Sequence, residues 1–397
     1  MDKKPEKLVP EVRFKGFTDD WEQRKLGEIS KRVRNNDGRM NLPLLTISAR
    51  HGWMTQQSRF SASIAGREKK NYTLLEKHQL SYNHGNSKVA IYGTVYELTN
   101  YDEALVPKVY HSFSLTPENS SKFIESYFHT KKLDAQLRKF IASTARMDGL
   151  LNISFDDFMK VKLFAPERCE QSKISRIINL IEKLITLQQR KLEILIKLKR
   201  SFLTKSMANS LDKNPELYFN SASVKWLKQK LSDLTIKEFK GNTKLNDTKP
   251  GKTEYLDAER LNGNVPLFID KPINTLKSDI LILWDGSKAG SVYYGFEGSL
   301  GSTLKAIRLN PKLVNSFFVY QQLKSKQDVI FNKYRTPNIP HVIKNFTKVY
   351  PIYFPSMAVQ NKIARFLGNL DTLIEIQQKS IKDHKVIKKY LLQKLFI

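Results

Sequence analysis

The chain has 397 residues, 40% hydrophobic and 11% aromatic, which suits two or three domains with sizeable cores and argues against disorder. Its 67 Lys and Arg against 39 Asp and Glu leave a formal charge of +28, an excess that points to a polyanionic partner, nucleic acid first. A single cysteine, Cys169, excludes a disulfide framework and a cysteine-ligated zinc site, and fits a reducing cytoplasm. No 18-residue apolar run, signal peptide or amphipathic anchor marks a membrane protein.

Residues 1–20 form a polar lead-in that ends in Phe14-Lys15-Gly16-Phe17-Thr18-Asp19-Asp20. A first globular domain over 21–168 opens at Trp21 and reads as mixed strands and turns. Strands are expected at Pro43–Ser48, Lys88–Tyr92 and Tyr110–Leu115, a helix around Phe123–Ile141, and a strand leading into Pro166. A long helix occupies 169–207, and an Asn- and Ser-rich linker 208–222. A second domain over 223–356 opens at Trp226, with strands expected at Asp279–Trp284 and Thr303–Arg308 and a helix around Asn315–Ile330. A second long helix fills 357–397.

The two long helices are copies. Pro166, Gln171, Ile174, Arg176, Leu184, Gln188 and Lys205 match Pro355, Gln360, Ile363, Arg365, Leu373, Gln377 and Lys394 at a constant offset of 189. Such a register over a whole helix means a tandem duplication. The domain openings match too, Trp21 to Trp226, Leu26 to Leu231 and Glu28 to Asp233, at an offset of 205. The second domain is therefore shorter, with its ends kept and its middle diverged.

Apolar residues of the first helix fall at Ile174, Ile177, Ile181, Leu184, Leu195, Leu198 and Phe202, an a/d heptad broken by Gln188 and Lys191 and widened by Ile178, Ile185 and Leu192. The second repeats it at Ile363, Phe366, Leu370, Leu373, Ile387 and Leu391, with Gln377 as its polar a position. A helix of this length spans roughly 50 Å and needs a partner. Antiparallel pairing of the two copies is expected; the alternative is that each helix packs on its own domain. The fold class is α+β, a tandem repeat of mixed α/β domains with two long helices that pair as a coiled coil.

Catalytic motifs are absent. Gly251-Lys252-Thr253 lacks the first glycine and the preceding strand of a phosphate loop. No G-x-G-x-x-G follows a strand, Glu238-Phe239-Lys240 has no partnered acidic residue, and the seven histidines lack ligand spacing. The chain is expected to be no enzyme on its own, with no catalytic or metal site.

Two turns stand out as DNA-contacting candidates. Asn83, His84, Asn86, Ser87 and Lys88 follow an apolar strand in the first domain, as Asp285, Ser287 and Lys288 do in the second. Amides and carboxylates can address base edges, while Lys and Ser hold phosphates; an ordinary glycine turn would look the same. Arg146 and Arg335 match at offset 189 near each domain's end, and either contacts DNA or caps a helix. The Lys379, Lys382, Lys385, Lys388 and Lys389 run can face DNA, a partner or solvent.

The chain resembles the specificity subunits of type I restriction-modification systems. The opening Arg13-Phe14-Lys15-Gly16-Phe17-Thr18-Asp19-Asp20-Trp21-Glu22 is similar to the family's start. Ala165-Pro166-Glu167 with Glu170-Gln171-Ser172-Lys173-Ile174 resembles its boundary between recognition domain and helix. Pro355 with Val359-Gln360-Asn361-Lys362-Ile363 repeats that boundary, with Val359 in place of an acidic residue. Ile339-Pro340-His341-Val342 resembles a segment near the end of these recognition domains, which adds His341 to the candidates.

That resemblance implies two target recognition domains, each reading half of an asymmetric bipartite site in double-stranded DNA, with the helices setting the spacer. It implies methyltransferase subunits docked on the helices and restriction subunits joined through them. S-adenosylmethionine, ATP and Mg would then sit on those partners, and no cofactor on this chain. Two other classes stay open from the residues alone: a stand-alone DNA-binding regulator and a coiled-coil interaction scaffold.

Overall fold

The computed structural model describes residues 8–60, 66–85, 87–142, 150–207, 215–217, 226–336 and 340–397. They fall into two compact units, 1–189 with 379–397 and 190–378. Each unit thus combines one globular domain with part of both long helices. No helix among the described residues is long and apolar enough to cross a membrane.

The central helix runs Arg168–Ser206 and the C-terminal helix Met357–Lys394, or about 58 Å of unbroken helix for the first at 1.5 Å per residue. Neither holds an internal proline, and the single internal glycine, Gly368, meets only the Phe317 ring.

Pairing is antiparallel within each unit. In the first, Ile174 and Ile178 share a core with Leu392, Leu395 and Phe396, and Lys388 Nζ lies 2.8 Å from Glu182. In the second, Lys199 Nζ lies 2.5 Å from Asp371, and the Phe202 and Phe366 rings are 4.3 Å apart. These two ion pairs are copies of one another, because Glu182 and Lys199 become Asp371 and Lys388 at offset 189.

The inward-facing repeat differs in phase from the expected heptad. Residues 174, 178, 181, 185, 188, 192, 195, 199 and 202 are buried or half-buried, and so are 363, 367, 370, 374, 377, 381, 384, 388 and 391. Ile174, Ile181, Gln188, Leu195, Ile363, Leu370, Gln377 and Leu391 lie in that repeat. Leu184 and Leu373 do not: they flank it, Leu373 being 46% exposed, and Ile185 and Ile374 take their places. Both spacings share every seventh residue, and the apolar stripe is wide enough to satisfy either.

A glutamine repeated in both halves locks each domain to its helix. Gln171 Oε1 accepts from the Ser120 backbone N–H (2.9 Å) while Nε2 donates to the Pro166 carbonyl (2.9 Å). Gln360 does the same with Asn315 (2.8 Å) and Pro355 (2.9 Å). Ser120 and Asn315 are also the N-caps of the helices Ser121–His129 and Ser316–Ser325, so each glutamine fixes a capped helix start against a strand end. Further back, the Val12 and Leu217 N–H groups donate to the Lys394 and Lys205 carbonyls. Glu170, fully buried, pairs with Arg13 at 2.8 Å in the first unit. Its counterpart Val359 has no charge to pair, so that ion pair belongs to one copy only.

The domains share a frame. Glu22–Lys25 pairs antiparallel with Lys162–Ala165, and Leu227–Lys230 with Pro351–Phe354. Lys25 N–H bonds Glu28, and Lys230 N–H bonds Asp233, which accounts for the matched acidic residues after each opening tryptophan. A four-stranded sheet follows in each, in spatial order Ser30–Val33, His111–Leu115, Leu80–Asn83, Thr94–Glu97, and Thr235–Lys240, Leu304–Leu309, Ile280–Leu283, Val292–Tyr293. Each expected single helix is two: Ser121–His129 and Asp134–Phe140 break at Lys131, whose φ is +66°, and Ser316–Ser325 and Gln327–Lys333 at Lys326. Lys88–Tyr92 is no strand. Ser87 and Ala90 exchange backbone bonds across a turn, leaving Val89 and Ile91 exposed.

Candidate nucleic-acid interface

The central sheet strand of each domain runs straight into the predicted turn. A returning segment pins each turn from the side: Leu151 N–H donates to the His84 carbonyl (2.8 Å), and Val342 N–H to the Trp284 carbonyl (2.9 Å). Isolated bridges join Gly85 to Leu150 and Asp285 to His341. Numbered from these pinned strand ends, the two turns correspond at an offset of 200, Ser87-Lys88 matching Ser287-Lys288 and His84 matching Trp284.

Two candidates are corrected. His84 is 1% exposed, and its Nδ1 and Nε2 each lie 2.7 Å from a backbone carbonyl, Leu151 and Val109. It tethers three chain segments and offers nothing to a base. Asn83 donates to the Ile47 carbonyl (3.1 Å) and accepts from Gly85 N–H (3.0 Å), so it shapes the turn. Burial by segments distant in sequence spends both side chains on the fold. Asn86 and Arg146 lie outside the described residues. Ser87 Oγ accepts from Ala90 N–H (3.1 Å), and Lys88 is exposed at the apex.

In the second domain the structure gathers the remaining candidates on one loop cluster. Arg335 Nη1 donates to the Ser287 carbonyl (3.1 Å), and its guanidinium stands 5.4 Å from the Phe331 ring centre. Gly286 N–H bonds the Pro340 carbonyl, bringing the His341 segment against the turn; His341 Nδ1 is 3.0 Å from Thr336 Oγ1. Asp285 pairs with Lys240 at 2.6 Å. Ser287 and Lys288 are exposed at the tip, where Gly286 has φ +108°. The cluster therefore presents a carboxylate acceptor among the cations Lys240, Lys288 and Arg335. Cations of this kind meet phosphates, and a carboxylate can accept from a cytosine or adenine amine.

Lys240 and Lys305 were not legible as neighbours of this site. Lys240 ends the strand Thr235–Lys240, and Lys305, opposite it in the register, stacks 4.0 Å over the Trp284 ring while pairing with Glu238. Glu238 also accepts from Thr347 (2.9 Å), so the Glu-Phe-Lys motif is structural. Gly251-Lys252-Thr253 lies within the strand Pro250–Leu256, where a Cβ on Gly251 would stand 2.2 Å from the Ile269 carbonyl oxygen.

Among the described residues, the first unit holds one histidine–carboxylate group with metal-like spacing, Glu125, His129 and Glu182. Its cation is already present. Lys122 Nζ lies 2.8 Å from Glu125 and 2.6 Å from Glu182. Burial pushes the Lys122 ammonium down, but the two carboxylates outweigh it and hold its pKa above the lysine range. Burial pushes the neighbouring His129 down.

Residues 223–383 match a family profile described as the type I restriction modification DNA specificity domain. The match covers the second globular domain and runs into the C-terminal helix. The type I restriction enzyme MjaVIII specificity subunit of Methanocaldococcus jannaschii is 32% identical over 165 residues, 41% of this chain and 39% of that relative. The putative type I restriction enzyme MjaX specificity subunit of the same organism is 24% identical over 95% of this chain and 93% of its own length.

The chain is similar to type I specificity subunits, and spans about two fifths of the length of the more identical relative.

The fold of a type I restriction-modification S subunit from M. genitalium, known from a crystal structure, is shared over 98% of this chain and 99% of that one, with a TM-score of 0.68 at 16% identity. A chain from a structure of type I complex assembly and conformational transition aligns over 99% of both at a TM-score of 0.51. The matched span takes in a domain with most of its following helix, which is the unit that this chain carries twice.

Proposed function

We propose that this chain is the non-catalytic, sequence-specific DNA-recognition subunit of a type I restriction-modification complex. Each globular domain reads one half of a bipartite double-stranded DNA target, and the paired helices set the spacer and dock the methyltransferase subunits. Restriction subunits join through those. S-adenosylmethionine, ATP and Mg act on the partners, in the cytoplasm.

The observation that carries this reading is one frame used twice with different tips. The glutamine clamp, the opening strand pair and the pinned Ser-Lys turn recur in both units. Around that turn, however, the second domain carries Asp285 beside Lys240 and Arg335, whereas the first has Gly85 in the place of Asp285. Identical frames with unlike tips present unlike surfaces to DNA, so the half-sites differ and the target is asymmetric. The charge of +28 supplies affinity that falls steeply with salt.

Base-modification sequencing of DNA from a host expressing this chain with its methyltransferase tests the proposal. A new bipartite, asymmetric motif supports it; no motif, beside a methyltransferase active with another specificity subunit, refutes it. Removing one heptad from each helix at equivalent positions shortens the pair by up to about 10.5 Å, or about three base-pair steps. The spacer should shorten by no more than that while both half-sites persist. An unchanged spacer would sink the ruler role.

A further inference from the structure

In the second unit a cavity of about 470 Å³ opens between the end of the central helix and the helix Ser316–Ser325. Four cations line it, Lys199, Arg200, Lys324 and Lys326, over an apolar floor that includes Leu203 and Met207, and no carboxylate lines it. Lys199 is neutralised from outside by Asp371. The other three have no ion-pair partner among the described residues. Lys324 Nζ donates only to the Val292 carbonyl (3.3 Å) and Gln327 Oε1 (3.1 Å). Burial, and then Lys199, push its ammonium below the usual lysine range, a cost that a bound anion would relieve.

The lining also holds an unused acceptor. Gln321 is 1% exposed, and its Nε2 donates to Asp371 (2.7 Å), while its Oε1 has no hydrogen-bond partner. A buried carbonyl oxygen without a donor is destabilising, so a ligand that brings an O–H beside its negative charge suits this wall. The first unit keeps three of the four cations at the matching places, with His129 in the place of Lys324. Lys388 and Lys389 correspond to Lys199 and Arg200 at offset 189, and Lys131 to Lys326 at the offset of 195 that relates the helix N-caps Ser120 and Asn315. These charges persist where the loop tips have diverged.

We propose that this cavity is a phosphate-binding site, in which Arg200, Lys324 and Lys326 hold the anion and Gln321 accepts from a protonated oxygen or adjoining hydroxyl. The phosphate comes either from the DNA backbone, which rests on the function proposed above and, carrying no O–H, leaves the Gln321 contact unused, or from a free phosphorylated molecule with a protonated oxygen or hydroxyl, which does not rest on it.

The test uses the full chain with its methyltransferase partner and the double variant Arg200→Gln/Lys326→Gln, both at exposed positions. The first readout is the slope of log Kd against log salt for a duplex carrying the chain's target. The second is ³¹P line broadening of inorganic phosphate by the protein. A slope reduced by about 0.9 per lost contact, with the target motif unchanged and the charge-preserving Arg200→Lys/Lys326→Arg variant intact, assigns the site to the DNA backbone. An unchanged slope with ³¹P broadening lost assigns it to a free phosphate compound. If neither readout changes, the site does not exist. Should the parent protein bind no DNA, the recognition reading fails while the ³¹P arm still decides the cavity.

Discussion

Truncating Leu367 to alanine should cost the second unit far more than truncating Leu373, six residues on in the same helix. Leu367 is fully buried, in one core with Ile363, Ala364 and Phe318. The change removes three carbons from that core, about 0.8 kcal/mol each in transfer alone, and the cavity left behind brings the loss to about 2–5 kcal/mol. Leu373 is 46% exposed, so its carbons are already largely in water and its loss should stay below about 1 kcal/mol. Urea unfolding followed by tryptophan fluorescence reads the difference, since Trp226 and Trp284 both belong to this unit. Equal losses, or a larger one at Leu373, would mean that the seam runs through Leu373 as the simple heptad expects, and that the phase described for both helices is wrong.

The glutamine clamp gives a second prediction. Gln360→Ala leaves the Asn315 N–H and the Pro355 carbonyl without their partner, at about 1–3 kcal/mol each, so several kcal/mol should be lost on chemical unfolding; a loss below about 1 would show the clamp to be incidental. Acid should weaken the first unit in two stages. Burial lowers the His129 pKa, so its contribution is present above the unfolded value near 6.5 and is lost as the pH falls through that value toward the folded one. Burial raises Glu182, but Lys122 and Lys388 outweigh it and hold it low, so its contribution is present above about 4.3 and disappears below. The urea midpoint of Glu182→Gln should therefore lose part of its dependence on pH below about 4.3, and an unaltered profile would contradict the ion-pair account.

The duplication was legible because helices tolerate no insertion: a single extra residue turns every later side chain by about 100°, so a constant offset survives wherever both copies must pack. The phase of the seam was not legible, because Ile177 with Ile178 and Leu184 with Ile185 offer apolar side chains to either reading. Antiparallel pairing, expected from the heptads alone, has its clearest signature in the charge pair Glu182–Lys388 and its copy Lys199–Asp371, which cross-helix arithmetic at offset 189 could have found. The turn tips divide for a physical reason. Ser287 and Lys288 need only a glycine turn to reach solvent, and the local sequence says so. His84 and Asn83 carry the same polar look, yet segments 25 to 67 residues away in the chain consume them, and no local pattern records that. The apolar alternation of Val89 and Ile91 imitates a strand, but Gly93, with φ +80° and no room for a Cβ against the Asn83 carbonyl, makes it a turn.

The Phe396 ring lies 5.1 Å from Phe123 and 6.4 Å from Trp21, inside the core of the domain that begins the chain. A ribosome therefore releases the first domain's strands long before the residues that close it. With the last strand of that domain ending at Ala165, about 230 further residues must emerge, which takes about 10–50 s at usual elongation rates. The second unit, drawn wholly from 190–378, has all its segments earlier. Its core can close first, reversing the usual N-terminal-first order, while the opening domain waits as a half-made nascent structure with an aromatic-lined gap. A stall before residues 379–397 emerge would leave the opening domain without Leu392, Leu395 and Phe396 in its core.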